Sequence, residues 1–372
     1  MKKLGFGLMR LPLLDPSDER SIDYETVREM ADAFLEAGFT YFDTAACYHQ
    51  GYSEIAFRKT VAERYPRSAY TITDKLTTFM VERREDLPGF FADQLERLGV
   101  DDLDYYWLHG MDIHSYPKAK ELGAFEFVRK LKREGKVRHI GFSFHGNAEM
   151  LEDILTNYPD LEYVQLQLNY LDWEDAEIQS RLCCETAARH GKPVIVMEPV
   201  KGGCLASLPE KAEQLLHAGN PELSTASWAI RFAASQEPVM VVLSGMSNPE
   251  QMRDNLSYMA DFQPLNGREM SLIRQAQEII RNSVAIPCTA CRYCTDGCPK
   301  KIAIPDYFSI YNDLKRFGSG QLRNLKRRFQ RFTQEHGLPS DCVRCGKCEE
   351  RCPQHLPIRS NLEKVADALE NG

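Results

Sequence analysis

No run of about 18 apolar residues occurs anywhere in the 372-residue chain, so no membrane-spanning helix is expected. A basic excess is missing too. Lys and Arg number 46 against 54 Asp and Glu, a formal charge of -8, which argues against a general nucleic-acid binder. A secretory leader is not expected either. Lys2 and Lys3 precede the apolar stretch Leu4 to Leu14, but Arg10 and Pro12 interrupt it and no A-x-A-like cleavage site follows. No G-x-G-x-x-G follows an early strand-like run, which weakens the case for an open dinucleotide-binding sheet. Apolar residues at 43% and charged residues at 27% are ordinary globular usage and exclude a disordered chain, a collagen-like fibre and a coiled coil. Cysteine, by contrast, is abundant: twelve residues, eight of them within 288–352. A cytoplasmic location is expected, where thiols stay reduced and clustered cysteines bind metal more readily than they form disulfides.

Up to about residue 262 the chain alternates short β-type runs with amphipathic helical runs. The β-type runs are Gly5–Leu8, Thr40–Asp43, Tyr70–Lys75, Asp104–His109, His139–Ser143, Tyr163–Leu168, Pro193–Met197 and Val239–Ser244. Several are almost wholly apolar, as suits parallel strands buried on both faces. Helical periodicity over Tyr24–Ala37 puts Val27, Met30, Ala31 and Phe34 on one face and stops at Gly38; Phe125–Glu134 behaves alike before Gly135. Eight βα repeats in roughly 250 residues predict a closed (β/α)8 barrel, with an open doubly wound sheet as the alternative. A further helix is expected over Arg268–Asn282. Residues 283–372 then carry 15 basic and 10 acidic side chains, whereas the first 282 carry 31 and 44. That charge asymmetry predicts a barrel with its following helix over 1–282 and a small second domain over 283–372.

The second domain holds Cys288-x2-Cys291-x2-Cys294-x3-Cys298-Pro299 and Cys342-x2-Cys345-x2-Cys348-x3-Cys352-Pro353. Each is the C-x2-C-x2-C-x3-C-P run of a [4Fe–4S] cluster, and in two-cluster proteins the fourth cysteine serves the other cluster. One cluster is therefore assigned to Cys288, Cys291, Cys294 and Cys352, and the other to Cys342, Cys345, Cys348 and Cys298. Zinc is the competing reading, but structural zinc sites usually pair two short Cys elements across a longer gap, often with His. The runs resemble bacterial-type dicluster ferredoxin modules. The spacer 299–341 is long enough for two helices, so the module is similar to helical ferredoxins fused to larger oxidoreductases. Cys183, Cys184 and Cys204 lack ligand spacing. Cys47 lies beside candidate catalytic groups, either as a packed thiol or as a reactive one.

Active-site groups of such barrels come from the C-terminal ends of strands and the loops beyond. Asp43, Lys75 and His109 stand at such ends, and Tyr48 lies in the loop after Asp43. A strand-end Asp can equally cap the next helix, and a strand-end His can satisfy backbone groups. The segments Phe42-Asp43-Thr44-Ala45 with Tyr48, Asp74-Lys75, Trp107-Leu108-His109 and Ser247-Asn248-Pro249-Glu250 with Asn255 resemble the aldo/keto reductase family over roughly residues 4–262.

That resemblance implies hydride transfer between NAD(H) or NADP(H) and a carbonyl or alcohol. Tyr48 would be the general acid, Lys75 would stabilise tyrosinate, Asp43 would pair with Lys75, and His109 would orient the carbonyl oxygen. Ser143 and Gln165 would hold the nicotinamide amide, with Met197 at the place of a stacking Tyr. Gly203 would let backbone approach the pyrophosphate, and Ser244, Gly245, Gln251 and Asn255 would lie along the rest of the cofactor. After Ser143 the family often has Asn, whereas here Phe144 and His145 follow. Gly245 and Gln251 stand where NADP-preferring members often carry Lys and Arg, so NADH is expected to serve at least as well as NADPH; Arg253 is the substitute clamp. Trp173 either lines the pocket or packs on the barrel.

Two further readings keep different roles for the clusters: an electron-transfer oxidoreductase, or an iron–sulfur sensor on a barrel without catalysis. The basic residues Lys315, Arg316, Arg323, Lys326, Arg327, Arg328 and Arg331, on two helical stretches broken at Gly318-Ser-Gly320, are either a solvated surface or a docking face for an acidic carrier. No flavin motif is visible.

Overall fold

A computed structural model describes residues 2–176, 178–288, 290–295, 297–317, 322–352 and 354–370. The break at 318–320 and Pro353 lie outside the described residues, and so does the side chain of Arg323. Eight parallel strands pair in chain order and close into a barrel. They are β1 (Leu4–Gly7), β2 (Tyr41–Asp43), β3 (Thr71–Leu76), β4 (Leu103–Met111), β5 (Val137–Phe144), β6 (Tyr163–Gln167), β7 (Val194–Met197) and β8 (Val239–Ser244). Every β-type run read from the sequence becomes one of these strands, and β8 pairs with β1 to shut the barrel. The helix Tyr24–Glu36 shows how the connections form. The Asp23 carboxylate accepts from the Thr26 N–H, Val27, Met30, Ala31 and Phe34 are buried, and the chain leaves the helix through Gly38 at φ +79°.

Side chains alternate across a strand, so every second residue points into the barrel. Tyr41, Tyr105, Trp107, Ile195, Val241 and Leu243 fill its interior as one cluster, with Tyr163 against it. A Cβ on Gly141 would stand 2.4 Å from the Tyr163 carbonyl oxygen and 2.5 Å from Trp107 Cζ3, so the indole takes the volume that a side chain on β5 would need. Two residues further along the same strands come Asp43, His109, Ser143, Gln165 and Met197, and Lys75 follows Thr73 in the same way. The strict period of two thus brings residues from six strands to one end of the barrel. β4 and β5 run on beyond this layer, with a register shift between Leu108 and Met111 and Gly110 at φ +64°.

Two compact units divide the chain: Met1–Pro199 with Ser227–Asn266, and Val200–Ala226 with Gly267–Gly372. In the second unit, Glu210–Gly219 packs on Gly267–Asn282. A separate core there gathers Ile286, Ile304, Tyr307, Phe308, Phe329, Ile358, Leu362 and Val365 around several of the cysteines. The spacer between the cysteine runs carries the helices Ile304–Phe317 and Leu322–Thr333. Among the described residues no helix is long and apolar enough to cross a membrane.

Candidate active site and metal centres

Lys75 and Asp43, 32 residues apart, become neighbours because β2 pairs with β3. Lys75 is fully buried, and its Nζ donates to Asp43 Oδ1 at 2.5 Å and to the Thr44 carbonyl at 2.6 Å. Burial works against the ammonium, but Asp43 and Tyr48 more than offset it, leaving the Lys75 pKa above the ordinary lysine value. Nζ also lies 4.8 Å from the centre of the Tyr48 ring. Tyr48 and His109 meet edge to face with ring centres 5.9 Å apart. The structure therefore brings Asp43, Tyr48, Lys75 and His109 together.

Two titrations differ from the plain expectation. Lys75 lowers the Tyr48 pKa, but burial outweighs it and pushes the phenol up to about 12. Tyr48 holds its proton at neutral pH. His109 is driven down to about 3, first by burial and then by the Lys75 charge and His145, so its imidazole is neutral.

The Tyr48 loop is bent. His49, Gln50 and Gly51 follow in succession at φ +49°, +56° and +89°. His49 holds this turn from outside: its Nε2 accepts from the Leu11 N–H at 3.3 Å, so Nδ1 carries the proton given to the Glu19 carbonyl at 2.8 Å.

A buried network that sequence reading missed lies behind Lys75. Gln94 Nε2 donates to Asp74 Oδ2 at 2.8 Å and to the Lys75 carbonyl at 3.0 Å, while its Oε1 accepts from Tyr106 at 2.5 Å. Asp74 Oδ1 accepts from the Lys75 N–H at 2.8 Å, and Glu54 pairs with Arg97. Burial, then the Glu54 carboxylate, raises the Asp74 pKa well above the carboxylate range. The members are spread over 54–106, and no local spacing joins them.

On the cofactor side, Ser143 and Gln165 are register partners on β5 and β6. Ser143 Oγ accepts from the Gly110 N–H at 2.7 Å, and Gln165 Nε2 donates to Asp43 Oδ2 at 3.3 Å. A hydroxyl and a primary amide side by side at the strand ends fit a carboxamide. Met197 ends β7 in the same layer. Asn255 Nδ2 donates to Ser244 Oγ at 2.6 Å. Gln251 is exposed, and its Oε1 accepts from the Ser247 N–H at 2.8 Å. Arg253 pairs with Glu250 at 2.8 Å and Glu29 at 3.5 Å. The basic side chain against Gly245 is instead Arg10, whose Cδ would lie 3.4 Å from a Cβ placed there. Sequence reading noted Arg10 only as an interruption of an apolar run. Gly203, at φ +98°, falls in the segment Val200–Ala226 of the second unit. Trp173 packs edge to face on Phe232 at 5.5 Å.

In the second unit, Cys288, Cys291, Cys294 and Cys352 line one cavity. Cys298, Cys342, Cys345 and Cys348 line another. Each ring takes one cysteine from the other run. Apolar walls flank both, with Ile304 shared between them. None of the twelve cysteines is joined in a disulfide. Cys291 and Cys345 are exposed, whereas Cys294, Cys348 and Cys352 are buried. Among the described residues no three His, Cys, Asp or Glu side chains are grouped to hold a single metal ion. On the basic helices, Arg328 reaches back to Asp313 at 2.7 Å, while Arg327 and Arg331 are exposed.

With barrel and site in place, comparison with known proteins gives a consistent result. The model of the aldo/keto reductase family matches residues 3–278, and that of a 4Fe-4S dicluster domain matches 287–356. The chain belongs to the aldo/keto reductase family. It is an oxidoreductase of that nicotinamide-dependent type, extended by an iron–sulfur domain. An aldo-keto reductase of Mycolicibacterium vanbaalenii is 30% identical over 236 residues, covering 60% of this chain and 74% of the relative. An uncharacterized oxidoreductase of Schizosaccharomyces pombe is 24% identical over 269 residues, covering 69% and 81%. Among solved structures, the holo form of an aldo-keto reductase from Bacillus halodurans superimposes with a TM-score of 0.60 at 25% identity, covering 74% of this chain and 91% of that one. An aldo-keto reductase from Klebsiella pneumoniae solved with NADPH shares the fold at 19% identity and a TM-score of 0.58, over 73% and 90%.

Proposed function

We propose that the barrel reduces an aldehyde or ketone with a nicotinamide cofactor, or oxidises the corresponding alcohol, and that the second unit carries two [4Fe–4S] clusters. The observation that carries the first part is the buried Lys75–Asp43 pair beneath Tyr48, with His109 beside the phenol. When bound, nicotinamide supplies or accepts the hydride. Ser143 and Gln165 offer its carboxamide a hydroxyl and an amide. Tyr48 gives its proton to the forming alkoxide, a base far stronger than tyrosinate, so transfer runs downhill even from a pKa of about 12. The Lys75 ammonium then stabilises the tyrosinate left behind, and buried Asp43 keeps that ammonium in place. Neutral His109 donates to the carbonyl oxygen and orients it. Reduction is the direction favoured near neutrality, because oxidation requires tyrosinate as base.

Four thiols spread around each cavity suit a cluster with several iron corners rather than one ion. The crossed rings support the ligand sets Cys288, Cys291, Cys294, Cys352 and Cys342, Cys345, Cys348, Cys298. Exposed Cys291 and Cys345 would put one corner of each cluster within reach of solvent. Together with exposed Arg327 and Arg331 on the helix Leu322–Thr333, this supports one-electron exchange with an acidic carrier protein in a reducing, cytoplasmic setting. Gly245 and Gln251 offer a 2′-phosphate no charge and support use of NADH at least as well as NADPH, whereas Arg10 beside Gly245 is a basic side chain that would favour NADPH.

Anaerobic holoprotein tested with both nucleotides against a panel of carbonyls should oxidise them. Tyr48→Phe should lower turnover by about 10²–10⁴ while nucleotide affinity stays within a few-fold. Equal turnover in Tyr48→Phe would remove the tyrosine from the reaction. No oxidation of either nucleotide by any carbonyl would leave electron exchange as the better reading.

A further inference from the structure

The Nδ1 edge of His109 meets two polar side chains. Thr77, two residues beyond Lys75, is completely buried, and its Oγ1 stands 2.9 Å from His109 Nδ1. Cys47 Sγ approaches the same nitrogen at 3.9 Å. Among the described residues Nε2, on the opposite edge of the ring, has no protein partner. A neutral imidazole carries one proton, so whichever nitrogen accepts from the protein leaves the other to donate. If Nδ1 kept the proton, Nε2 would offer only a lone pair to a carbonyl oxygen and would repel it.

We infer that Thr77 is a positioning residue that sets the tautomer of His109: its hydroxyl donates to Nδ1 and so holds the proton on Nε2, facing the carbonyl. The inference rests on the proposed carbonyl reduction for its purpose, though not for its geometry. Three features agree with it. A threonine hydroxyl can donate to Nδ1 and still accept from another donor. Burial pushes the Cys47 thiol up, so it keeps the S–H needed to donate toward Oγ1 or Nδ1. His109 stays neutral, so a tautomer choice exists at all. The two polar groups facing Nδ1 can thus both act as donors, and neither carries a negative charge that would draw the proton to that side.

The test is nitrogen NMR on anaerobic, histidine-¹⁵N-labelled holoprotein, with the His109 signals assigned by their loss in His109→Gln. Wild type and Thr77→Ser should show a protonated Nε2 and a pyridine-type Nδ1. Thr77→Val, which keeps the shape but lacks the hydroxyl, should shift population toward the Nδ1–H form. In kinetics, kcat/KM for the carbonyl should fall roughly tenfold in Thr77→Val, the worth of one hydrogen bond of about 1.4 kcal/mol, and return in Thr77→Ser. Nucleotide affinity should not move. A proton on Nδ1 in the wild type would overturn the inference, as would Thr77→Val with an unchanged tautomer and unchanged kcat/KM. Absence of carbonyl reduction in the wild type would overturn the functional reading alone, since the NMR result still decides the tautomer.

Discussion

Lys75 and Asp43 cannot be separated without cost. Removing the ammonium strands a buried carboxylate, and a broken buried pair costs about 3–5 kcal/mol. Lys75→Met should therefore lower stability by that order, read from chemical unfolding followed by tryptophan fluorescence; Trp107, Trp173 and Trp228 all lie in the barrel unit. The double variant Asp43→Asn with Lys75→Met should recover much of the loss. Additive losses would show that the two side chains do not depend on each other. Under the proposed mechanism, Tyr48 and His109 would shape the pH response. Alcohol oxidation needs the tyrosinate, whose population grows tenfold per pH unit below about 12, so kcat/KM for oxidation should climb through the alkaline range. Reduction uses the protonated phenol and should stay level there, falling only as pH nears 12. Because His109 titrates near 3, neither profile should show a limb at the ordinary histidine pKa of about 6.5. A limb there, absent from His109→Gln, would show an imidazole that is charged in the acid range.

At the scale of single elements, β5 is tightly constrained. Its Gly141 leaves the volume that Trp107 fills, and the nearest obstacle to a Cβ is the backbone of β6. Gly141→Ala should cost about 1–3 kcal/mol or more, because a backbone carbonyl cannot rotate away as a side chain can. It should also disturb Ser143, two residues on, and weaken nucleotide binding. Calorimetry and nucleotide titration would check both, and a variant with wild-type stability would mean that β5 and β6 can part without loss. The loop after β2 is constrained differently. Three residues with positive φ follow Tyr48, and the two His49 hydrogen bonds oppose the strain of the non-glycine pair.

For the molecule as a whole, the proposed crossed ligation would make the two cysteine runs one folding unit. Cys298 lies in the first run but lines the cavity of Cys342, Cys345 and Cys348. Cys298→Ser, purified anaerobically, should lose or degrade that cluster and retain the one held by Cys288, Cys291, Cys294 and Cys352. Iron should then fall from about eight toward about four atoms per chain. Iron analysis with electron paramagnetic resonance of the reduced protein would follow this. Loss of the first cluster alone would reverse the assignment, and zinc as the dominant metal would remove it.

Much of this protein was legible along the chain because its strongest signals are local. Eight apolar β-type runs at regular spacing specify a barrel, since both faces of a parallel strand must be buried. The cysteine spacing could be read as that of a 4Fe-4S dicluster domain, which the family match over 287–356 bears out, because three cysteines of each run lie close together along the chain. Asp43, Lys75 and His109 could be picked out because strand ends are where a barrel presents side chains. What the sequence could not show are pairings across the barrel. Thr77 meets His109 over 32 residues, Gln94 ties Asp74 to Tyr106, and Arg10 lies along Gly245, more than 230 positions away. Pairing of β3 with β4 brings Thr77 to His109, the helix Leu87–Leu98 carries Gln94 to Asp74 and Tyr106, and closure of β8 onto β1 brings Arg10 to Gly245. The sign of the Tyr48 shift was hidden for the same reason: Lys75 can be read from its strand, but the burial that outweighs it belongs to the packed fold.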